Sequence, residues 1–142
     1  MIAFADSSAL VKRYLDEEYR ELVMSLSATL ASSLASVEVS SAIWRRQRLG
    51  EISGSDAAVL AERARFDLTG GDPDVIVLPP TTHVLFRASE LTGTAGLRAY
   101  DAVQLASALA MRDAYPDCTA FACFDRQLSA AAAAHGFNVL TA

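Results

Sequence analysis

"MIAFADSSALVKRYL", residues 1–15, is the stretch whose reading decides the fold. Ile2-Ala3-Phe4-Ala5 reads as a short buried strand that runs straight into Asp6, and 7–15 reads as a helix. An ionised carboxylate at the end of a buried strand costs several kcal/mol, or shifts its pKa until it is neutral. Either something compensates Asp6, or Asp6 is the reason the segment exists.

The same alternation continues along the chain. A second helix is expected over 17–28, with Leu22, Val23 and Leu26 on one face, and an extended piece around 30–34. A helix from about 35 to 49 should close at Gly50, in the usual C-terminal position. Ser53 or Ser55 can cap the next helix, to about 68. "TGGDPD" (69–74) reads as a loop, and "VIVLP" (75–79) as a strand stopped by Pro79-Pro80. Thr81 or Thr82 opens a helix to about Leu91, broken by "GTAG". A long helix follows over about 98–114, then a strand at 119–124, a helix from 126 to His135 stopped by Gly136, and a last strand, "FNVLT" (137–141). Strands apolar throughout, separated by helices, predict a three-layer α/β/α domain with a mostly parallel central sheet. One domain spanning 1–142 is expected.

Composition narrows the function. The 142 residues are 52% hydrophobic, which leaves room for a buried self-association surface. No apolar run approaches the ~20 residues of a membrane span, and no basic region precedes the first strand, so a cytoplasmic protein without a signal peptide is the expectation. Cys118 and Cys123, five apart around a strand, should face opposite ways and stay reduced. His83 and His135 lie far apart without partners at ligand spacing, which excludes a Cys/His zinc site. A net charge of –5 argues mildly against a nucleic-acid binder. Yet Lys12 is the sole lysine, so eleven of the twelve basic residues are arginine, the side chain suited to bidentate phosphate contacts.

Asp6 has counterparts. Asp125 directly follows an apolar strand in "TAFACFDRQL". Glu38, in "LASVEVSSAIWRR", and Asp101, in "LRAYDAVQLASALAM", each fall in the first turn of an otherwise apolar helix. On the second of these helices, Asp101, Gln104, Ser107 and Ala108 lie along one stripe. Taken singly, each acid can cap a helix or complement its dipole. In open parallel sheets, however, ligands bind beyond the carboxyl ends of the strands. Four acids converging there would raise one another's pKa values unless a cation neutralised them. Mg²⁺ or Mn²⁺ takes such oxygen ligands and keeps waters for substrate. Without these four, 13 acids face 12 bases, a net of –1 elsewhere.

"DSSALVK", "VEVSSAIWRR", "LRAYDAVQLASAL" and "FDRQL" together resemble the four acidic motifs of PIN domains, and most closely those of VapC-like toxins of bacterial toxin–antitoxin pairs. The resemblance spans essentially the whole chain in order; over 50–80 it extends only to general helical character. It implies a Mg²⁺- or Mn²⁺-dependent endoribonuclease whose metal-binding acids are Asp6, Glu38, Asp101 and Asp125. It also implies a small antitoxin partner and a homodimer. A small hydroxyl residue commonly follows the first Asp in the family, and Ser7 holds that place. The family often carries Ser or Thr upstream of the last acid, where this chain has Cys123 and Phe124. That departure bears on how the acids are oriented, not on the acids themselves.

Among other polar residues, Ser7 is either a helix cap or a hydrogen-bonder to Asp6, and Arg98 either touches substrate phosphate or pairs with Asp101. Arg45, Arg46 and Arg48 form a phosphate rim or a solvated helix end. "DEEYRE" (16–21) reads as a solvated helix start, and Trp44 as core or interface. Alternatives to the nuclease are a non-catalytic PIN domain that binds RNA or protein, and a metal-dependent phosphotransfer domain. The dehalogenase type of the latter wants an Asp where Ser8 stands, and the receiver type wants a C-terminal lysine that this chain lacks.

Overall fold

The computed structural model describes residues 1–140. Five strands, β1 (Ile2–Ala5), β2 (Ala28–Ser32), β3 (Val75–Leu78), β4 (Ala120–Ala122) and β5 (Asn138–Leu140), form one sheet in the order β3-β2-β1-β4-β5. Every pairing is parallel, so the expected mostly parallel sheet is wholly so. Seven helices cover its two faces: α1 (Ser7–Leu10), α2 (Arg20–Met24), α3 (Ala35–Arg48), α4 (Gly54–Phe66), α5 (Thr82–Thr94), α6 (Ala99–Ala114) and α7 (Arg126–Ala134).

Side-chain alternation along the strands explains the layering. Leu30, Phe4 and Phe121 stand in register across β2, β1 and β4 and pack with α5, α6 and α7. The Phe4 and Phe121 rings lie 5.3 Å apart, centroid to centroid. The opposite face presents Ala5, Ala31 and Ala122, small enough for α1 and α3 to pack closely on the sheet, with Leu10, Val39 and Ile43 filling the second core. Gly50 and Gly136 end α3 and α7 with φ of 76° and 89°, the left-handed stop expected at both places.

Three local expectations fail. The helix predicted over 7–15 is α-helical only to Leu10 and tightens into a 3₁₀ turn at Val11–Arg13. The helix predicted over 17–28 shrinks to Arg20–Met24, and the extended piece begins at Ala28 because β2 pairs with β1 from there. "DEEYRE" is mostly exposed and opens α2 at Arg20, but it is not merely solvated and fails as such: Glu17 binds Lys12 at 3.2 Å and also pairs with Arg46, while Tyr19 adopts φ 65°. In the last predicted strand, Thr141 lies outside the described residues.

No helix among the described residues is long and apolar enough to cross a membrane.

Candidate active site

In the order β3-β2-β1-β4-β5, chain direction across the sheet reverses between β1 and β4. Crevices for ligands form at such points, beyond the carboxyl ends of the strands. Asp6 follows β1 and Asp125 lies three residues after β4, so the two acids flank that point. Both also cap helices: Asp6 accepts from the Ala9 amide at 3.1 Å, and Asp125 from the Leu128 amide at 2.8 Å. Capping explains where each main chain turns. It does not explain why Asp6 is buried, with 4% of its surface exposed.

Glu38 and Asp101 enter from the two faces of the sheet, each in the first turn of a helix, α3 and α6, whose start lacks a side-chain cap. Their charges complement the helix N-termini. Gln104, one turn after Asp101, joins the two sides: its Nε2 donates to Ser7 Oγ at 3.0 Å and to Glu38 Oε1 at 3.1 Å. Gln104 is buried, and its Oε1 has no hydrogen-bond partner among the described residues; nor has the hydroxyl of Ser107, one turn further on. Reading the sequence placed Gln104 on the Asp101 stripe but did not assign it a role; the i, i+3 spacing was the available signal.

The acids act on one another. Burial, above all, raises the Asp6 carboxyl to about 6, with a contribution from the charge of Glu38; hydrogen bonds from Ser8, Cys123 and Ala9 pull the other way. Asp101 is raised first by burial, then by the charges of Asp125 and Glu38, against a lowering by Arg98. Among the described residues none of the four acids is in an ion pair. Nor do any three His, Cys, Asp or Glu side chains meet at metal-ligand spacing.

The groups that orient Asp6 differ from those expected. Ser8, not Ser7, donates to Asp6 Oδ1, at 2.6 Å, and accepts from the Phe124 amide at 2.9 Å. Ser7 instead accepts from Gln104. Cys123 also reaches both Asp6 and Asp125: its thiol lies 3.3 Å from Asp6 Oδ2, and its sulfur accepts from the Asp125 amide at 3.4 Å. Arg98 is exposed just before α6, and Arg46 is tied to Glu17 and Glu51, which removes it from any phosphate rim.

The fold has a likeness in three dimensions. The crystal structure of VapC20 from Mycobacterium tuberculosis, a sarcin–ricin loop cleaving toxin, superposes with a TM-score of 0.67, covering 92% of this chain and 95% of that one. The chain has the VapC-like PIN fold. Identity to VapC20 is 22%, so the likeness lies in the PIN architecture and not in the detail of the site. No family model and no curated protein matches the sequence.

Proposed function

We propose that this chain is a Mg²⁺- or Mn²⁺-dependent endoribonuclease and the toxin of a toxin–antitoxin pair. One observation carries the reading. Four carboxylates, none of them in an ion pair among the described residues, stand about the topological switch point of a parallel sheet. Burial chiefly raises the Asp6 and Asp101 carboxyls, with the charge of Glu38 adding to both and that of Asp125 to Asp101. Carboxylate oxygens and a glutamine oxygen without a partner suit a hard divalent cation, which would offset that repulsion. Asp6, Asp101 and Asp125 would hold it directly or through water; Glu38 would be a further ligand or orient the attacking water. When bound, the ion supplies an activated water and Lewis acidity for phosphodiester hydrolysis. Ser8 and Cys123 hold the Asp6 carboxylate, Gln104 holds Glu38, and Arg98 offers charge to a phosphate. VapC20, of the same fold, is a cleaving toxin, which supports the same class of activity here. RNA, a small antitoxin, a second copy of the chain and a cytoplasmic setting belong to this reading.

A second reading, a non-catalytic PIN domain that binds RNA or protein, is favoured by the absence of three side chains at ligand spacing among the described residues. Mn²⁺ titration of the purified protein separates the two. The nuclease reading expects binding that Asp101→Asn weakens, together with RNA cleavage; the second expects neither.

A further inference from the structure

Among the described residues, Tyr19 is the one non-glycine residue with positive φ, at φ 65° and ψ 12°. A bulky side chain seldom adopts this backbone, and such outliers persist where the surroundings hold them, often at functional sites. What the conformation achieves is visible: the Tyr19 ring lies on that of Phe124, with centroids 5.4 Å apart and planes 13° from parallel. Lys12 Nζ sits 4.5 Å from the Phe124 centroid. Phe124 is half-buried against the second core, whereas Tyr19 stays 38% exposed and belongs to neither apolar cluster, so its outer face is open.

The stack is anchored to the acids. Phe124 precedes Asp125, and its amide donates to Ser8, which in turn donates to Asp6. The two rings line a cavity of about 660 Å³ shared with Glu18, Asp125, Ser129, the exposed Arg126 at the start of α7, and Lys12, which is paired with Glu17. The exposed Tyr19 ring, the Arg126 guanidinium and an adjoining carboxylate site together fit a nucleobase followed by its phosphate. We infer that Tyr19 and Phe124 form a stacking platform for one unpaired nucleobase of the RNA, beside the phosphate that the carboxylates address. This rests on the nuclease reading and deepens it by assigning the residues on which one base would stack, a contact that a base held in a duplex has no free face to make.

The test is binding of three 12-nucleotide probes, oligoadenylate, oligouridylate and a base-free ribose-phosphate oligomer, by fluorescence anisotropy in an Asp101→Asn background. Tyr19→Gly removes the ring and relieves the left-handed backbone, so loss of folding does not confuse the result. It is expected to weaken oligoadenylate binding roughly 5- to 100-fold while leaving the base-free oligomer unchanged and the melting temperature no lower. Tyr19→Phe, which keeps the ring, should bind within about twofold of the parent. Equal binding of oligoadenylate by parent and Tyr19→Gly overturns the platform, as does an equal loss for the base-free oligomer. If wild-type protein cleaves RNA in a metal-dependent manner despite either result, the platform alone falls. If the parent binds no probe and wild type cleaves no RNA, the nuclease reading falls first and the platform with it.

Discussion

Cys123 and Asp6 stand 117 residues apart in the chain, yet the Cys123 thiol lies 3.3 Å from Asp6 Oδ2. The contact ties the end of β4 to the end of β1 across the switch point. Burial, and after it the charge of Asp6, pushes the thiol up to about 12, so it remains a protonated donor at neutral pH. Cys123→Ser should preserve the donor and keep kcat within a few-fold. Cys123→Ala should remove it and lower kcat roughly 10- to 100-fold, the range for groups that orient metal ligands. Steady-state cleavage by the two variants checks this, and equal activities would exclude an orienting role.

Gln104 makes a similar prediction. Gln104→Met fills comparable space but removes the donor to Ser7 and Glu38. Both acceptors are partly exposed and can turn to water, so stability should change by no more than about 1 kcal/mol. Activity should fall roughly tenfold or more. Urea unfolding beside a cleavage assay separates the two effects; a loss of activity matched by loss of folded protein would refute the positioning role.

Asp6 sets a pH dependence of stability. Its carboxyl rises from 3.8 to about 6, chiefly through burial. Between about pH 4 and 6 the native state therefore holds a proton that the unfolded chain has released, and stability falls as pH rises through that window. A shift of roughly two units corresponds to about 3 kcal/mol lost by pH 7. In EDTA, Asp6→Asn should be more stable than wild type by about 1–3 kcal/mol at pH 7, with the gain vanishing near pH 4. Denaturant midpoints at both pH values measure it, and a pH-independent difference would show that Asp6 carries no such cost.

The ion pairs of Glu17 fix the entry to α2. Glu17→Gln leaves Lys12, which is buried, without its carboxylate partner and removes one of the two acids on Arg46. The pairs are partly exposed, so the cost should be about 1–2 kcal/mol, less than for a fully buried pair. Thermal melts of Glu17→Gln check this, with Glu62→Gln, on the exposed pair with Arg65, expected to melt as wild type does.

Much of the architecture was legible because periodicity reports burial. Apolar strands such as Val75–Leu78 and Ala120–Ala122 predicted a parallel sheet, and Ser53 and Thr81 marked two helix starts. Legibility ended where distant contacts overrode local pattern. Residues 17–28 carry helical spacing, but the pairs of Glu17 and the left-handed Tyr19 delay α2 to Arg20. The acids could be picked out as carboxylates in apolar settings. The groups that aim them could not: whether Ser7 or Ser8 reaches Asp6 depends on where α1 turns, and Cys123 meets Asp6 only through the pairing of β1 with β4.

The central claim is that these acids hold a metal used to cut RNA. Purified protein freed of any partner should cleave single-stranded RNA with Mg²⁺ or Mn²⁺ and stop in EDTA. Asp6→Asn and Asp101→Asn, shown to be folded, should each abolish cleavage. Cleavage that survives EDTA or both substitutions would contradict the account.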